Sequence, residues 1–149
     1  MRLISLRIIN YRGSYQPGGI SYLTVHGWTT NPLIEYFIVE SNNGAEGHPY
    51  SAAQRKGTVT CDGAKYDVLQ GARYDIRVDG VILPIKLFWS VRYPKKYPGE
   101  AINGTVNTAC HFNGWKGFGM ELGSDFDYQI LSIEGYYSRG SANITVSEG

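Results

Sequence analysis

A chain of 149 residues is long enough for one domain with a packed core, and its 14 Lys plus Arg against 13 Asp plus Glu give a formal net charge of +1. No strong field of either sign gathers nucleic acid or an anionic membrane surface, so the charge argues against both partners and suits a neutral one. Twelve Tyr, three Trp and 19 Gly favour strands, tight turns and flat aromatic faces over helices. An apolar ring with a hydroxyl matches the mixed faces of a sugar, although most such rings in a β-sandwich serve the core or cross-strand pairs.

The opening Met1-Arg2-Leu3-Ile4-Ser5-Leu6-Arg7-Ile8-Ile9 begins basic, but Ser5 and Arg7 break its apolar run and no small-residue cleavage pattern follows. It reads as a strand, not as a signal peptide, and no later stretch approaches the length of a membrane span. In segment 20–26, Ile20, Tyr22, Thr24 and His26 alternate with Ser21, Leu23 and Val25, and segment 33–40 is equally rich in β-branched and aromatic residues. The Gly27 to Pro32 stretch between them punctuates a turn, so the two segments predict a hairpin.

Residues 41–55 lack periodicity and read as a loop. Gly57 to Thr60, the turn Asp62-Gly63 and Tyr66 to Leu69 predict a second hairpin. A third pair, Ala72 to Ile76 and Ile82 to Arg92, joins through Val78-Asp79-Gly80 as a projection fit to overhang a cleft. Segment 93–104, with Pro94, Pro98 and Gly99, reads as a surface loop, and only Val106 to Gly117 has helical spacing. Strands near 127–137 and 142–147, split by Ser138-Arg139-Gly140-Ser141, complete one all-β domain of two packed, curved antiparallel sheets with one short helix.

Cys61 and Cys110 are too distant in sequence to define a disulfide framework and read as free, buried thiols. His26, His48 and His111 sit in unrelated segments without ligand spacing, so neither a metal nor a cofactor is expected. His111 reads as a satisfied core histidine.

Two carboxylates break the pattern. Alternation places Leu33, Glu35, Phe37 and Val39 on one face of their strand and Ile34, Tyr36 and Ile38 on the other. On the last long strand, Tyr128, Ile130, Ser132, Glu134 and Tyr136 share a face. A lone acid on such a face is usually an ion pair or an exposed residue. Two glutamates on one concave sheet are, however, what glycoside hydrolysis requires, one to attack the anomeric carbon and one to protonate the leaving oxygen. Periodicity supplies the faces and leaves open whether the two strands meet.

The run from Ser21 to Glu40, with Pro-Leu-Ile-Glu-Tyr at 32–36, closely resembles the nucleophile segment of the glycoside hydrolase family 11 endo-β-1,4-xylanases. Ile133-Glu-Gly-Tyr-Tyr-Ser-Arg-Gly-Ser is similar to the family's closing signature, and Phe88-Trp-Ser-Val-Arg92 and His111-Phe-Asn-Gly-Trp115 match in order between them. The resemblance implies a jelly roll of two bent sheets and retaining hydrolysis of internal xylan linkages. It makes Glu35 the nucleophile and Glu134 the acid/base. It also implies a substrate cleft containing Tyr22, His26, Phe37, Arg73, Val78, Trp89, Tyr128 and Tyr136, and a secreted location where xylan is found.

The chain departs from that pattern at His26 and Phe37, both tyrosines in the family, at Leu87, a glutamine there, and at the shortened tip Ile76-Arg77-Val78. The match begins inside the domain near Arg7, which predicts open sheet edges and self-association through them. These departures keep two other readings in view, a weak or inactive xylan-binding protein of the same fold and a β-sandwich interaction protein.

Overall fold

In the computed structural model, which describes residues 6–44, 48–136 and 138–149, the alternating segments become strands. They are β1 (Ile8–Pro17), β2 (Ile20–Thr30), β3 (Ile34–Asn43), β4 (Gln54–Cys61), β5 (Ala64–Val78), β6 (Val81–Arg92), β7 (Gly99–Asn107), β8 (Asp125–Tyr136) and β9 (Gly140–Glu148). One helix, α1 (Thr108–Lys116), follows β7. The strands form a three-stranded sheet ordered β7-β1-β9 and a six-stranded sheet ordered β4-β5-β6-β3-β2-β8. Every ladder is antiparallel except β3 with β6. That pair is parallel because the chain leaves β3, turns back through the β4–β5 hairpin, and returns along β6 in the original sense.

Period-two alternation gives the six-stranded sheet two apolar faces. Ile34, Tyr36 and Ile38 of β3 join Leu23, Val25, Tyr66, Val68 and Phe88 in the core between the sheets. Tyr11, Ile102 and Val106 meet them from the smaller sheet, and Phe112 and Trp115 from α1. Each such side chain taken from water contributes roughly 1.5–3 kcal/mol. The alternate residues Phe37 and Val39 join Tyr22 and Trp89 in a second cluster on the opposite face, which is the face that carries Glu35.

Glu40 continues the core parity of Ile34, Tyr36 and Ile38 and is fully buried. The phenols of Tyr11, at 2.8 Å, and Tyr66 donate to it, and Arg92 Nη1 lies 3.5 Å away. Burial pushes its carboxyl above the usual range, against the lowering effect of the two phenols and Arg92. Because Tyr11 lies on β1 and Tyr66 on β5, this one carboxyl fastens the two sheets together.

Helix α1 begins where Asn107 accepts from the Cys110 amide at 3.4 Å, an N-cap arrangement. It buries Thr108, His111, Phe112 and Trp115, the i, i+3, i+4, i+7 stripe of a surface helix. His111 Nδ1 lies 2.9 Å from Ser90 Oγ, which also accepts from Trp115 Nε1. Its Nε2 has no hydrogen-bond partner among the described residues, so this core histidine is only half satisfied.

Several expectations need correction. Residues 93–104 are irregular only as far as Pro98, and Gly99–Asn107 pairs with β1 as an outer strand. An outer strand tolerates glycine, and Gly104 is required because a Cβ there would strike the Tyr11 ring. The two short strands expected at 66–69 and 72–76 are one strand, β5, which passes through Gly71. The expected loop 41–55 holds the end of β3, a 3₁₀ turn at Pro49–Ala52 and the start of β4.

Cys61 and Cys110 are not free thiols. They form a disulfide with Cα atoms 5.9 Å apart, because α1 lies against the end of β4, a proximity that 49 residues of separation conceal. Among the described residues β8 and β9 are each outermost in their sheets. Ile130, Ile133 and Val146 stand there 44%, 40% and 50% exposed.

Candidate active site

Glu35 is held from two sides. On β2, His26 pairs across the ladder with Phe37 and Trp28 with Glu35; His26 Nε2 lies 2.7 Å from Glu35 Oε1. On β5, which continues the sheet beyond β6, Arg73 Nη1 lies 2.9 Å from Oε2. Both oxygens of the carboxylate therefore have a partner, and the Arg73 contact is charge-assisted. Only 11% of the Glu35 side chain is exposed, and that part borders a cavity of about 300 Å³ lined by Trp28, Leu33, Glu35, Arg73 and Ile85.

An aromatic stack fixes His26. Its ring lies on Phe37 at 4.5 Å and 6°, and Phe37 lies on Trp89 at 3.9 Å and 10°. Trp28 meets His26 edge-on at 6.2 Å. Tyr50 and Tyr22 close over Trp89 at 5.2 and 6.0 Å. Such ring pairs are worth about 0.5–1.5 kcal/mol each beyond the area they bury.

Glu134 stands on β8 opposite Tyr22 of β2 and accepts a hydrogen bond from the Tyr22 hydroxyl. Burial first, and then this bond and the charge of Glu134, hold the Tyr22 phenol far above its ordinary value. Tyr22 is thus a permanent donor. Tyr136 stacks on Tyr22 at 6.4 Å, and Tyr128, further along β8, meets Trp28 edge-on at 4.1 Å.

The two glutamates share one face of the six-stranded sheet. Glu35 has the parity of Phe37, Phe37 and Tyr22 belong to one cluster, and Glu134 is bonded to Tyr22, with β2 running between β3 and β8. Of the residues anticipated from the sequence, His26, Arg73, Tyr128 and Tyr136 are grouped around this face.

Three others have a different place. Tyr22, Phe37 and Trp89 are 1%, 4% and 1% exposed, so they form the packed floor that positions His26 and Glu134 and present no open ring to a sugar. Trp89 in particular is scaffold, not platform. Val78 lies outside the residues whose side chains are described.

Trp28, Leu33 and Ile85 border the cavity at Glu35 without having been singled out. Extending the alternation Tyr22, Thr24, His26 by one step reaches Trp28. The glycine before it and the Asn-Pro after it instead suggested a turn.

Two glutamates thus stand over an aromatic floor on one face of a two-sheet sandwich. The chain belongs to the glycosyl hydrolases family 11, whose sequence model matches residues 2–145. It is 55% identical over 142 residues to endo-1,4-beta-xylanase A of Schizophyllum commune, covering 95% of this chain and 71% of the relative. It is 54% identical over 141 residues to endo-1,4-beta-xylanase 1 of Leucoagaricus gongylophorus, covering 95% of this chain and 59% of that protein. A solved Trichoderma reesei endo-1,4-beta-xylanase superimposes with a TM-score of 0.80 at 35% identity, covering 95% of this chain and 75% of the other. The jelly-roll fold is therefore the family's, and the chain spans little more than half the length of several of the relatives it matches.

Proposed function

We infer that this protein hydrolyses internal β-1,4-xylosidic linkages of xylan by a retaining double displacement. Glu35 attacks the anomeric carbon while Glu134 gives its proton to the departing glycosidic oxygen, so that one C–O bond forms as the other breaks. Glu134, now a carboxylate, takes a proton from water, whose oxygen displaces Glu35 from the sugar and restores the original configuration. His26 and Arg73 orient Glu35, and the Tyr22 phenol orients Glu134. Tyr128, Tyr136 and Trp28 supply aromatic edges for the sugar chain.

The observation that carries this reading is the clamped carboxylate of Glu35 on the same sheet face as Glu134, in a chain so similar to proteins named as xylanases. Intact glutamates and 54–55% identity favour turnover over the binding-only alternative. A polymeric substrate cannot enter a cell, and the Cys61–Cys110 disulfide fits an oxidising compartment, so the reaction belongs outside the cell. Reducing ends should appear when the protein meets xylan and vanish with Glu35→Gln. Proton NMR of the first products should show the β-anomer. Undiminished release by Glu35→Gln would overturn the assignment.

A further inference from the structure

Two tripeptides of the chain read Asn-X-Thr with no proline between, Asn103-Gly104-Thr105 and Asn143-Ile144-Thr145. That pattern is the acceptor for an N-linked glycan, which a folded chain carries only where the asparagine faces solvent. Such tripeptides arise often by chance, so the placement of each asparagine is what decides.

Strand alternation puts both on one surface. On β7, Ile102 and Val106 are 4% and 0% exposed and belong to the core, whereas Asn103 and Thr105 are exposed. On β9, Ile144 packs against the same core, and Asn143 and Thr145 on either side of it are exposed. Strand β1 runs between them, with Arg12 opposite both Asn103 and Thr145 and Ser14 opposite Asn143. All four acceptor residues therefore share the outer face of the three-stranded sheet.

That face has room for sugars. Arg12, Asn103, Thr105 and Thr145 border an open groove of about 380 Å³. Among the described residues β7 and β9 are the outermost strands of their sheet, so no further strand crowds the first sugar at either asparagine. Two strand spacings, roughly 10 Å, separate the acceptors across the sheet, which leaves a place for each glycan. Glu35 lies on the outer face of the other sheet, with Phe37 and Trp89, so the core of the sandwich stands between the acceptors and the cleft.

We propose that Asn103 and Asn143 are N-glycosylation sites, each taking an oligosaccharide from a lipid-pyrophosphate donor as the chain passes through a secretory pathway; this rests on the extracellular reading above. The asparagine Nδ2 attacks the anomeric carbon of the donor's first N-acetylglucosamine. An N–C bond forms as the C–O bond to the pyrophosphate breaks, the pyrophosphate leaves with the bonding pair, and the amide nitrogen gives up one proton. The bulky, hydrophilic product covers the face that holds it and leaves Glu35 open to xylan.

The test produces the full chain in a eukaryotic host behind a cleavable secretion leader, and in the same host without it. Secreted and cell-retained protein are both analysed, since the transfer precedes release from the cell. Peptide N-glycosidase turns each occupied asparagine into aspartate, so digestion in heavy-oxygen water should label the peptides at Asn103 and Asn143. The protein made without the leader should carry no glycan. Thr105→Val should lose the glycan at Asn103 and Thr145→Val the one at Asn143, while Thr105→Ser and Thr145→Ser keep them. Thermal melting verifies the fold of each variant, because Thr105 Oγ1 also donates to Asn10 Oδ1 at 2.7 Å. Release of reducing ends from xylan should be equal before and after the glycans are removed.

Unlabelled asparagines in chains routed through the secretory pathway, or glycans that persist in the valine variants, overturn the proposal, and a label on one asparagine alone overturns the other site. A marked rise in hydrolysis on removal of the glycans overturns their separation from the cleft. Labelled asparagines without any hydrolysis would keep the glycans and remove the xylanase reading. Hydrolysis by an unlabelled secreted protein would do the reverse.

Discussion

His26 Nε2 lies 2.7 Å from Oε1 of Glu35, while the His26 ring lies flat on Phe37. The residue that holds the carboxylate is therefore itself held by a stack that continues to Trp89. His26 thus gives the Glu35 carboxylate a donor from the neighbouring strand.

Removal of that donor should be costly. His26→Phe keeps a flat ring but leaves Glu35 with Arg73 alone, and kcat on xylan should fall about ten- to a hundredfold, the worth of a hydrogen bond to a charged group. His26→Tyr should recover most of the loss. Steady-state rates of both variants, with Tm unchanged within a few degrees, check this; a fully active His26→Phe enzyme refutes it.

The Tyr22 phenol should matter equally at every working pH. Burial and its bond to Glu134 keep it protonated, so Tyr22→Phe removes a constant donor. We expect kcat to drop about tenfold with a pH–rate profile parallel to that of the wild type. A loss confined to the alkaline limb would contradict the permanent-donor role.

The Cys61–Cys110 disulfide closes a segment of 49 residues. Replacement of both cysteines by serine should cost about 3–4 kcal/mol through the freed unfolded chain, seen as a lower urea midpoint. Neither cysteine lines the cavity at Glu35, so kcat at low temperature should be unchanged. Equal midpoints with and without the bond would show that the unfolded chain is not constrained by it.

His111 should make the fold acid-sensitive. Burial drives its imidazole down to about 3 from an ordinary 6.5. The unfolded chain therefore binds a proton that the native state refuses between those values, and stability from this group is present above pH 6.5 and lost as pH falls towards 3. Glu40 acts in the opposite sense, because its raised carboxyl favours the fold below its ordinary value and costs stability as pH rises above it. The difference between wild type and His111→Phe isolates the histidine. Between pH 6.5 and 4.5 the wild type should lose about 2–3 kcal/mol more than the variant in urea unfolding. Identical slopes would exclude His111 as the source.

Much of the site was legible because a strand has a period of two. The parity that set Glu35 with Phe37 and Val39, against Ile34, Tyr36 and Ile38, is the division between the two clusters of the structure. Tyr128, Glu134 and Tyr136 likewise share a face. Trp28 was obscured because Gly27 imitates a turn signal, whereas in the folded chain it is a glycine because the Tyr36 ring leaves no room for a Cβ. Strand β7 was hidden by Pro98, Gly99 and Gly104, which an outer strand accepts.

Local chemistry in the chain was sufficient for the sandwich, for the lone helix and for the side of its strand on which each glutamate stands, since backbone alternation and turn preferences act over a few residues. Only the folded arrangement decided that Tyr22 bonds Glu134 across the β2–β8 ladder and that His26 and Arg73 share Glu35. It also decided that Glu40 fastens the sheets and that Cys61 meets Cys110. Those contacts join residues whose separation along the chain exceeds any local period, so strand order and register alone bring them together.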